Sequence, residues 1–472
     1  MKTIFSIIFF LSLANFAKAQ DTLTLQQAIQ TGIANNIDVN KSSLQMQRED
    51  IALRQSRSNM LPNLNVSADH GINQGRSIDP FTNAPITQNV DYASYGATSN
   101  ILLFNGFSLQ NNIKSNALGY EASKMELQQS KDNLTINIIL AYLQVLSAED
   151  ILESSRQQGI VTGKQVERLA LLNESGAIPP SQYYDLKGQY ANDEIAVADN
   201  VAAVATAKLN LVQLLNIPYN KNLELQRLPM DTFDTAYNVT PETIYSTALQ
   251  QFAQIKSVHL RTQSAEKNIQ SIKGELFPTL SLSGNVNTNY SSAATQSIFL
   301  NSVEVPSGTD YVDINGSHVP VITKQDNFNT NKITYGNQLS NNLFTTINLG
   351  LSIPLFNANR VKNRVKLAKI DLKNNELVEE NTKTILQQSI EKAYVNLTNT
   401  SNKYKILIDQ VEAFDQSFHA AEVRFNAGAI TSVDYLIAKN NLDRANINLI
   451  ISKYDYVLRG KILDYYQGKT LW

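Results

Sequence analysis

The sequence predicts an α+β membrane protein made of a duplicated long-helix/β-strand-pair repeat. Its strands close a barrel shared between copies, and its helices form a second cylinder outside the membrane. Three observations predict this. A heptad seam runs through Leu386, Ile390, Ala393, Leu397, Thr400, Tyr404, Leu407, Val411, Phe414, Phe418, Ala421 and Phe425, far longer than a chance run of apolar residues. The turn that ends it occurs twice, since GAITSVDYLIAKNN from Gly428 and GAIPPSQYYDLKGQ from Gly176 align without a gap at 428 − 176 = 252, the mark of an internal repeat. Between the helical stretches the apolar period falls to two in four short runs, which is strand behaviour.

Residues 1–19 read as a secretory signal peptide: Lys2, an apolar core IFSIIFFLSLANF, and Ala17-Lys18-Ala19 before Gln20, with a core short of the ~20 residues a membrane helix needs. Its removal takes two lysines, so the net charge goes from 40 − 42 = −2 to 38 − 42 = −4, and no nucleic-acid partner is expected. The chain has no cysteine, which excludes disulfides, thiolate metal sites, cysteine nucleophiles and a lipid on an N-terminal cysteine. No mature segment is an uninterrupted apolar run of membrane-helix length, so a membrane-embedded form must cross as strands.

The first repeat occupies 20–217. A helix is expected from Thr24 to Asn59, ended by Pro62. Two strands follow within about 62–104: Leu64, Val66 and Ala68 alternate with Asn65, Ser67 and Asp69, then Tyr95, Ala97, Ser99 and Ile101 with Gly96, Thr98 and Asn100. The long helix spans 107–174, roughly 68 residues and ~102 Å. Pro179-Pro180 starts the return helix, 180–216, where missing N–H groups cost nothing. Return and opening helices are each about half as long, so the two stack end to end beside the long one. Residues 218–240 link the repeats at mid-height.

The second repeat occupies 241–472. Its opening helix is placed at 241–275, its strands at about 278–291 and 341–356, its long helix at 358–426 and its return helix at 431–466. MLPNLNVSA from Met60 matches LFPTLSLSG from Leu276 at an offset of 216. The offset then grows to 252, so the loop between the second strand pair, about 292–338, carries 36 extra residues (252 − 216) and is expected to hold a small hairpin.

Four strands with one apolar face leave two bare edges, which hydrocarbon does not tolerate. Three copies give twelve strands around water; two would give eight, a barrel normally filled by side chains. A homotrimer is therefore expected.

With the doubled strand-pair layout and the GAIPPSQYYDL and GAITSVDYL turns in view, nearly the whole mature chain resembles the TolC-like outer membrane efflux proteins. The resemblance implies a trimeric 12-stranded outer membrane β-barrel continued by a periplasmic α-helical barrel. It implies an outer membrane exit duct of a tripartite efflux or type I secretion system, joined through a periplasmic adaptor (membrane fusion) protein to an inner membrane RND- or ABC-type transporter. It places adaptor docking at Gly176, Ala177, Ile178 and Pro179 and at Gly428, Ala429, Ile430 and Thr431. It places Asp434 at the pore constriction, near Phe425, Ile430 and Ile437, with Ser181, Gln182 and Asp185 on the first turn. Three such carboxylates around an axis would repel one another and attract cations, raising the pKa of each. Phe425, Ile430 and Ile437 stand where the family's best-known pattern has polar latch residues, so an entrance shut by apolar packing is expected. The competing role for Asp434 is to cap the helix that follows.

A trimeric adhesin would also close twelve strands from three chains, but there the four strands lie together at the C-terminus, whereas here helices separate two pairs. No enzyme, cofactor or metal is expected. His70, His259, His318 and His419 have no metal-site spacing, and GIVTGKQ at Gly159 lacks both the glycine spacing and the Ser or Thr of a phosphate loop.

Overall fold

The computed structural model describes residues 22–78, 83–87, 89–228 and 239–469. The expected signal peptide and residues 229–238 of the linker lie outside them. The first repeat contains α1 (Leu25–Asn35), α2 (Ile37–Ser58), β1 (Asn63–Asn73), β2 (Arg76–Ile78), β3 (Pro85–Thr87), β4 (Val90–Asn105), α3 (Ser108–Glu174) and α4 (Pro180–Leu215). The second contains α5 (Pro241–Gln251), α6 (Ala253–Gly274), β5 (Thr279–Ser291), β6 (Thr295–Ile314), β7 (Ser317–Lys332), α7 (Tyr335–Asn341), β8 (Phe344–Ser352), α8 (Arg360–Asn426) and α9 (Ser432–Tyr466). The long helices α3 and α8 are both 67 residues. Helices α3 and α4 each contain an 18-residue window apolar enough to cross a bilayer by length and composition, a departure from the sequence reading, which counted only uninterrupted apolar runs.

Each opening helix, expected in one piece, is two. The breaks fall at Asn36 and Phe252, both extended, with ψ of 129° and 124°. The Asn36 side chain accepts hydrogen bonds from the Asp38 and Val39 amides at 2.9 and 3.2 Å, capping the next helix. Phe252 instead turns its ring inward against Tyr465, centroids 5.0 Å apart. Because 252 − 36 = 216, the break belongs to the repeat, yet two different side chains stabilise it, so no shared residue marks it.

The chain divides into two compact units. The helical unit comprises the residues up to Ala52, Ser115–Glu266 and those from Ile370 on. Its core repeats with the sequence: Leu134, Ile138, Ala141 and Val145 of α3 are buried, as are Leu386, Ile390, Ala393 and Leu397, 252 positions on in α8. Each large apolar side chain buried there contributes about 1.5–3 kcal/mol. Fully buried Tyr142 places its hydroxyl 2.9 Å from the Leu23 carbonyl and 2.7 Å from that of Gln226. Burial pushes this phenol up to about 12, so it keeps the proton that holds the Leu23–Leu225 bridge in place.

The strand unit comprises Leu53–Lys114 and Lys267–Lys369. Its four-stranded antiparallel sheet has the order β1-β4-β5-β8. Register sorts the side chains by face, because directly paired residues project to the same side. One face carries the rows Leu64–Ser99–Gly284–Ile347 and Val66–Ala97–Val286–Thr345; the other carries Asn65–Thr98–Asn285–Thr346 and Asn63–Asn100–Ser283–Asn348. The apolar face is open at the edge strands, with Val66 77% and Ile347 75% exposed. Where strands meet helices, Gly106 takes φ +65°, and a Cβ on Gly274 would stand 2.8 Å from the Gly106 carbonyl oxygen. Only glycine allows that approach.

The loop over 292–338 holds more than a small hairpin. Strands β6 and β7 pair along most of their 20 and 16 residues through the turn Asn315-Gly316, both at positive φ, as a two-residue hairpin loop requires. The strand expected over 341–356 is shorter, Phe344–Ser352: α7 runs to Asn341 before its start, and Pro354, which cannot donate to a ladder, follows its end. Buried Gln338 fixes that helix: its amide accepts from the Ser291 N–H at 2.9 Å and donates to the Ser291 carbonyl at 3.0 Å.

Candidate functional site: the two helical turns

The turns at Gly176 and Gly428 are built alike. The Ala177 N–H donates to the Leu172 carbonyl at 2.9 Å and the Gly176 N–H to that of Asn173 at 3.1 Å; Ala429 donates to Arg424 at 2.8 Å and Gly428 to Phe425 at 3.0 Å. This six-to-one and five-to-two pairing satisfies the last carbonyls of a helix and needs a left-handed residue, supplied by the glycines at φ +72° and +73°. Gly176, Ala177, Pro179, Gly428, Ala429 and Thr431 are exposed, and no atom lies within 4 Å of where a Cβ on either glycine would sit. Ile178 and Ile430 are half-buried and pack with Leu169, Leu186, Phe425 and Tyr435.

The two turns are joined. The Ser432 hydroxyl donates to the Asp185 carboxylate at 2.8 Å. The Asn426 side-chain carbonyl accepts from Arg168 and, at 3.4 Å, from Gln165. Gln182 is half-buried and Ser181 exposed.

Asp434 is exposed and occupied. Its carboxylate accepts from the Thr431 hydroxyl at 2.7 Å and from the Thr431 N–H at 3.2 Å, while the Asp434 N–H donates to the Thr431 hydroxyl at 3.2 Å. This reciprocal box starts α9. The Thr431 hydroxyl, its backbone N–H and then the Arg424 charge hold the Asp434 carboxyl below the usual carboxylate range, opposite to the rise expected of three like charges on an axis. Within one protomer the cap decides the direction.

Phe425 does not project outward. It is 3% exposed, stacked on Tyr435 with centroids 4.7 Å apart, with the Arg168 guanidinium 5.8 Å from its ring. Position 425 lies on the seam, and packing against Tyr435 of α9 draws its ring inside. Of the apolar trio expected at the entrance, Ile437 alone stands exposed, at 57%.

One cluster nearby escaped the sequence reading. Lys439, 2% exposed, places its ammonium 3.1 Å from Asp193 and 2.6 Å from Asp443. Asp193 also accepts from the Thr162 hydroxyl and, at 2.7 Å, from the Gln189 amide. The cluster thus ties α3, α4 and α9 together. Burial pushes the Asp443 carboxyl up, against the pull of Lys439. The signals were faint: Lys439 and Asp443 are one turn apart, and Gly159 and Gly163 are small residues at the same spacing. Helix α3 runs unbroken through GIVTGKQ; a Cβ on Gly163 would stand 3.1 Å from the Tyr190 ring, so Gly163 lets α4 approach, whereas one on Gly159 would be in ordinary contact, 4.0 Å from Asp193.

The profile of the outer membrane efflux protein family matches residues 28–216 and 244–459, two stretches that begin 244 − 28 = 216 residues apart, the offset of the repeated opening helices. The Outer membrane protein TolC of Escherichia coli K12 is 22% identical over 462 residues, covering 97% of this chain and 85% of that one. The Outer membrane efflux protein BepC of Brucella suis biovar 1 is 20% identical over 443 residues, covering 92% and 83%. Among solved structures, CusC superposes with a TM-score of 0.76 at 15% identity, covering 94% and 92%, and the Campylobacter jejuni CmeC outer membrane channel with 0.74 at 16%, covering 96% and 88%.

Proposed function

Because the chain belongs to the outer membrane efflux protein family, we propose that it works as a homotrimer whose open sheets close one twelve-stranded barrel. It is an outer membrane efflux duct with a periplasmic helical barrel. The observation that carries the trimer is the sheet itself: among the described residues β1 and β8 have no strand on their outer edges, and one face is apolar while the other is lined by asparagine, serine and threonine. In a closed barrel the apolar face meets lipid and the polar face meets water. Native mass spectrometry of detergent-extracted protein should show three copies; a stable monomer inserted in lipid refutes the architecture.

The duct is passive, and a proton- or ATP-driven transporter in the inner membrane supplies the work. A periplasmic adaptor reaches the duct at the exposed turns, where Gly176, Ala177, Gly428 and Ala429 let another backbone come close. Asp434 and Ile437, with Gln182 and Asp185 across the Ser432 link, border the entrance, and Phe425 and Ile430 back it from inside the protomer. A carboxylate ring should bind multivalent cations. In planar bilayers Asp434→Asn, which keeps an acceptor for the cap, should weaken block by trivalent cations added on the periplasmic side. Thr431→Val, which removes the cap and keeps the charge, should leave block intact. Equal block in wild type and Asp434→Asn leaves Asp434 as a helix cap alone.

A further inference from the structure

The strand unit carries a concentrated positive charge that the duct function does not use. Its helix ends and turns, residues 53–62, 106–114, 267–278 and 353–369, hold ten lysines and arginines and a single acid, Glu275. That is +9 in a chain whose formal net charge is −2, so the remainder carries −11. Half of the ten lie in the first turns of α8: Arg360, Lys362, Arg364, Lys366 and Lys369, all exposed, with Arg364 matched to Glu275. Steps of four and three put Lys362, Lys366 and Lys369 on one side of the helix.

Local physics disfavours this arrangement. The first turn of α8 has no acid, although the positive end of a helix prefers acidic residues, and like charges three and four apart repel. The repeat does not demand it either, since 252 positions earlier stand Gln110, Lys114 and Ala117. A charge cluster that runs against local preference is the kind of departure expected at a functional surface.

Its neighbours indicate the occupant. Just before α8, Leu355 is 93% and Phe356 85% exposed, and at the other strand–helix corners Leu61 is 67% and Phe277 54% exposed. Large apolar side chains this exposed suit hydrocarbon, and a few residues beyond them lipid phosphates lie at the boundary with water. Resting on the barrel reading above, we propose that this basic collar binds the headgroups of anionic phospholipids in the periplasmic leaflet of the outer membrane, centred on Lys362, Lys366 and Lys369.

The test uses the full chain in zwitterionic lipid nanodiscs doped with spin-labelled phosphatidylglycerol or phosphatidylcholine. Protein-bound lipid is read from the motionally restricted fraction. Wild type should favour phosphatidylglycerol, and the triple variant Lys362→Gln, Lys366→Gln, Lys369→Gln should lower that preference by about fivefold or more, with the trimer retained. Inserted protein without a preference, as expected if an acidic protein is the true occupant, overturns the proposal, as does an undiminished preference in the variant. Loss of the preference on adding inorganic phosphate at constant ionic strength also overturns it, in favour of a free-anion site. Protein that fails to enter nanodiscs overturns the barrel reading and this proposal together, which is distinct from insertion without lipid selectivity.

Discussion

Replacing Lys439 by methionine should destabilise the helical unit by about 3–5 kcal/mol, the usual consequence of removing one partner of a buried ion pair. Methionine nearly conserves volume, so packing is spared and charge alone is tested. The ammonium sits between two carboxylates, at 3.1 Å from Asp193 and 2.6 Å from Asp443. Without it, both are left in a site where burial already pushes Asp443 up. The pH dependence has a definite sign. A carboxyl whose folded pKa lies above its unfolded value binds more protons in the folded state, so the stability it contributes is lost as pH rises. The deficit of Lys439→Met should therefore shrink as pH falls from neutrality towards the carboxylate range. Thermal melts of both proteins across that interval check it. A deficit that is constant or grows on acidification shows that the lost energy was packing rather than charge. The double variant Lys439→Met, Asp443→Leu should recover part of the stability, since replacing paired buried charges by apolar groups is often close to neutral.

Ala429→Trp should abolish efflux in cells while leaving trimer assembly and outer membrane insertion intact. Ala429 is exposed, and Gly428 before it has open space where a side chain would stand, so the bulky ring has room within the protomer. Its effect must fall on whatever approaches the turn. The cap is untouched, because Ala429 takes part through its N–H to the Arg424 carbonyl at 2.8 Å, which tryptophan retains. Gly428→Ala differs: at φ +73° any side chain strains the turn itself, so loss of function there would not separate docking from folding. Crosslinking to the adaptor, alongside drug susceptibility, reads the step concerned. Wild-type efflux from Ala429→Trp trimers would remove the docking assignment.

The two predictions draw on different layers of information. The turns were legible because each depends on one backbone requirement, a left-handed residue after a helix, which glycine meets at the lowest cost. Its recurrence 252 residues later made it visible without any structure. The long helices and the strand faces were legible for a related reason: seam and alternation are periodic, and a period is a property of the sequence itself. Of the opening-helix breaks, the first rests on local chemistry, the Asn36 cap, but the second, where Phe252 packs, does not. The ring that stabilises the second break finds its partner, Tyr465, more than 200 residues away.

The sequence by itself therefore determined the repeat, the helix and strand periods, the glycine turns and the need for other copies to close the sheet. Each follows from spacing along the chain or from an unsatisfied edge. Tertiary structure alone decided which way the side chains near the turns face. Phe425 reads as an entrance residue by position, but stacking on Tyr435 draws it inside. Nothing local to Lys439 marks it as buried, but the approach allowed by Gly163 brings α4, with Asp193, against α3, and α9 closes over them with Lys439 beside Asp193. Burial and pairing depend on the distance between elements remote in sequence, and no local pattern encodes that distance.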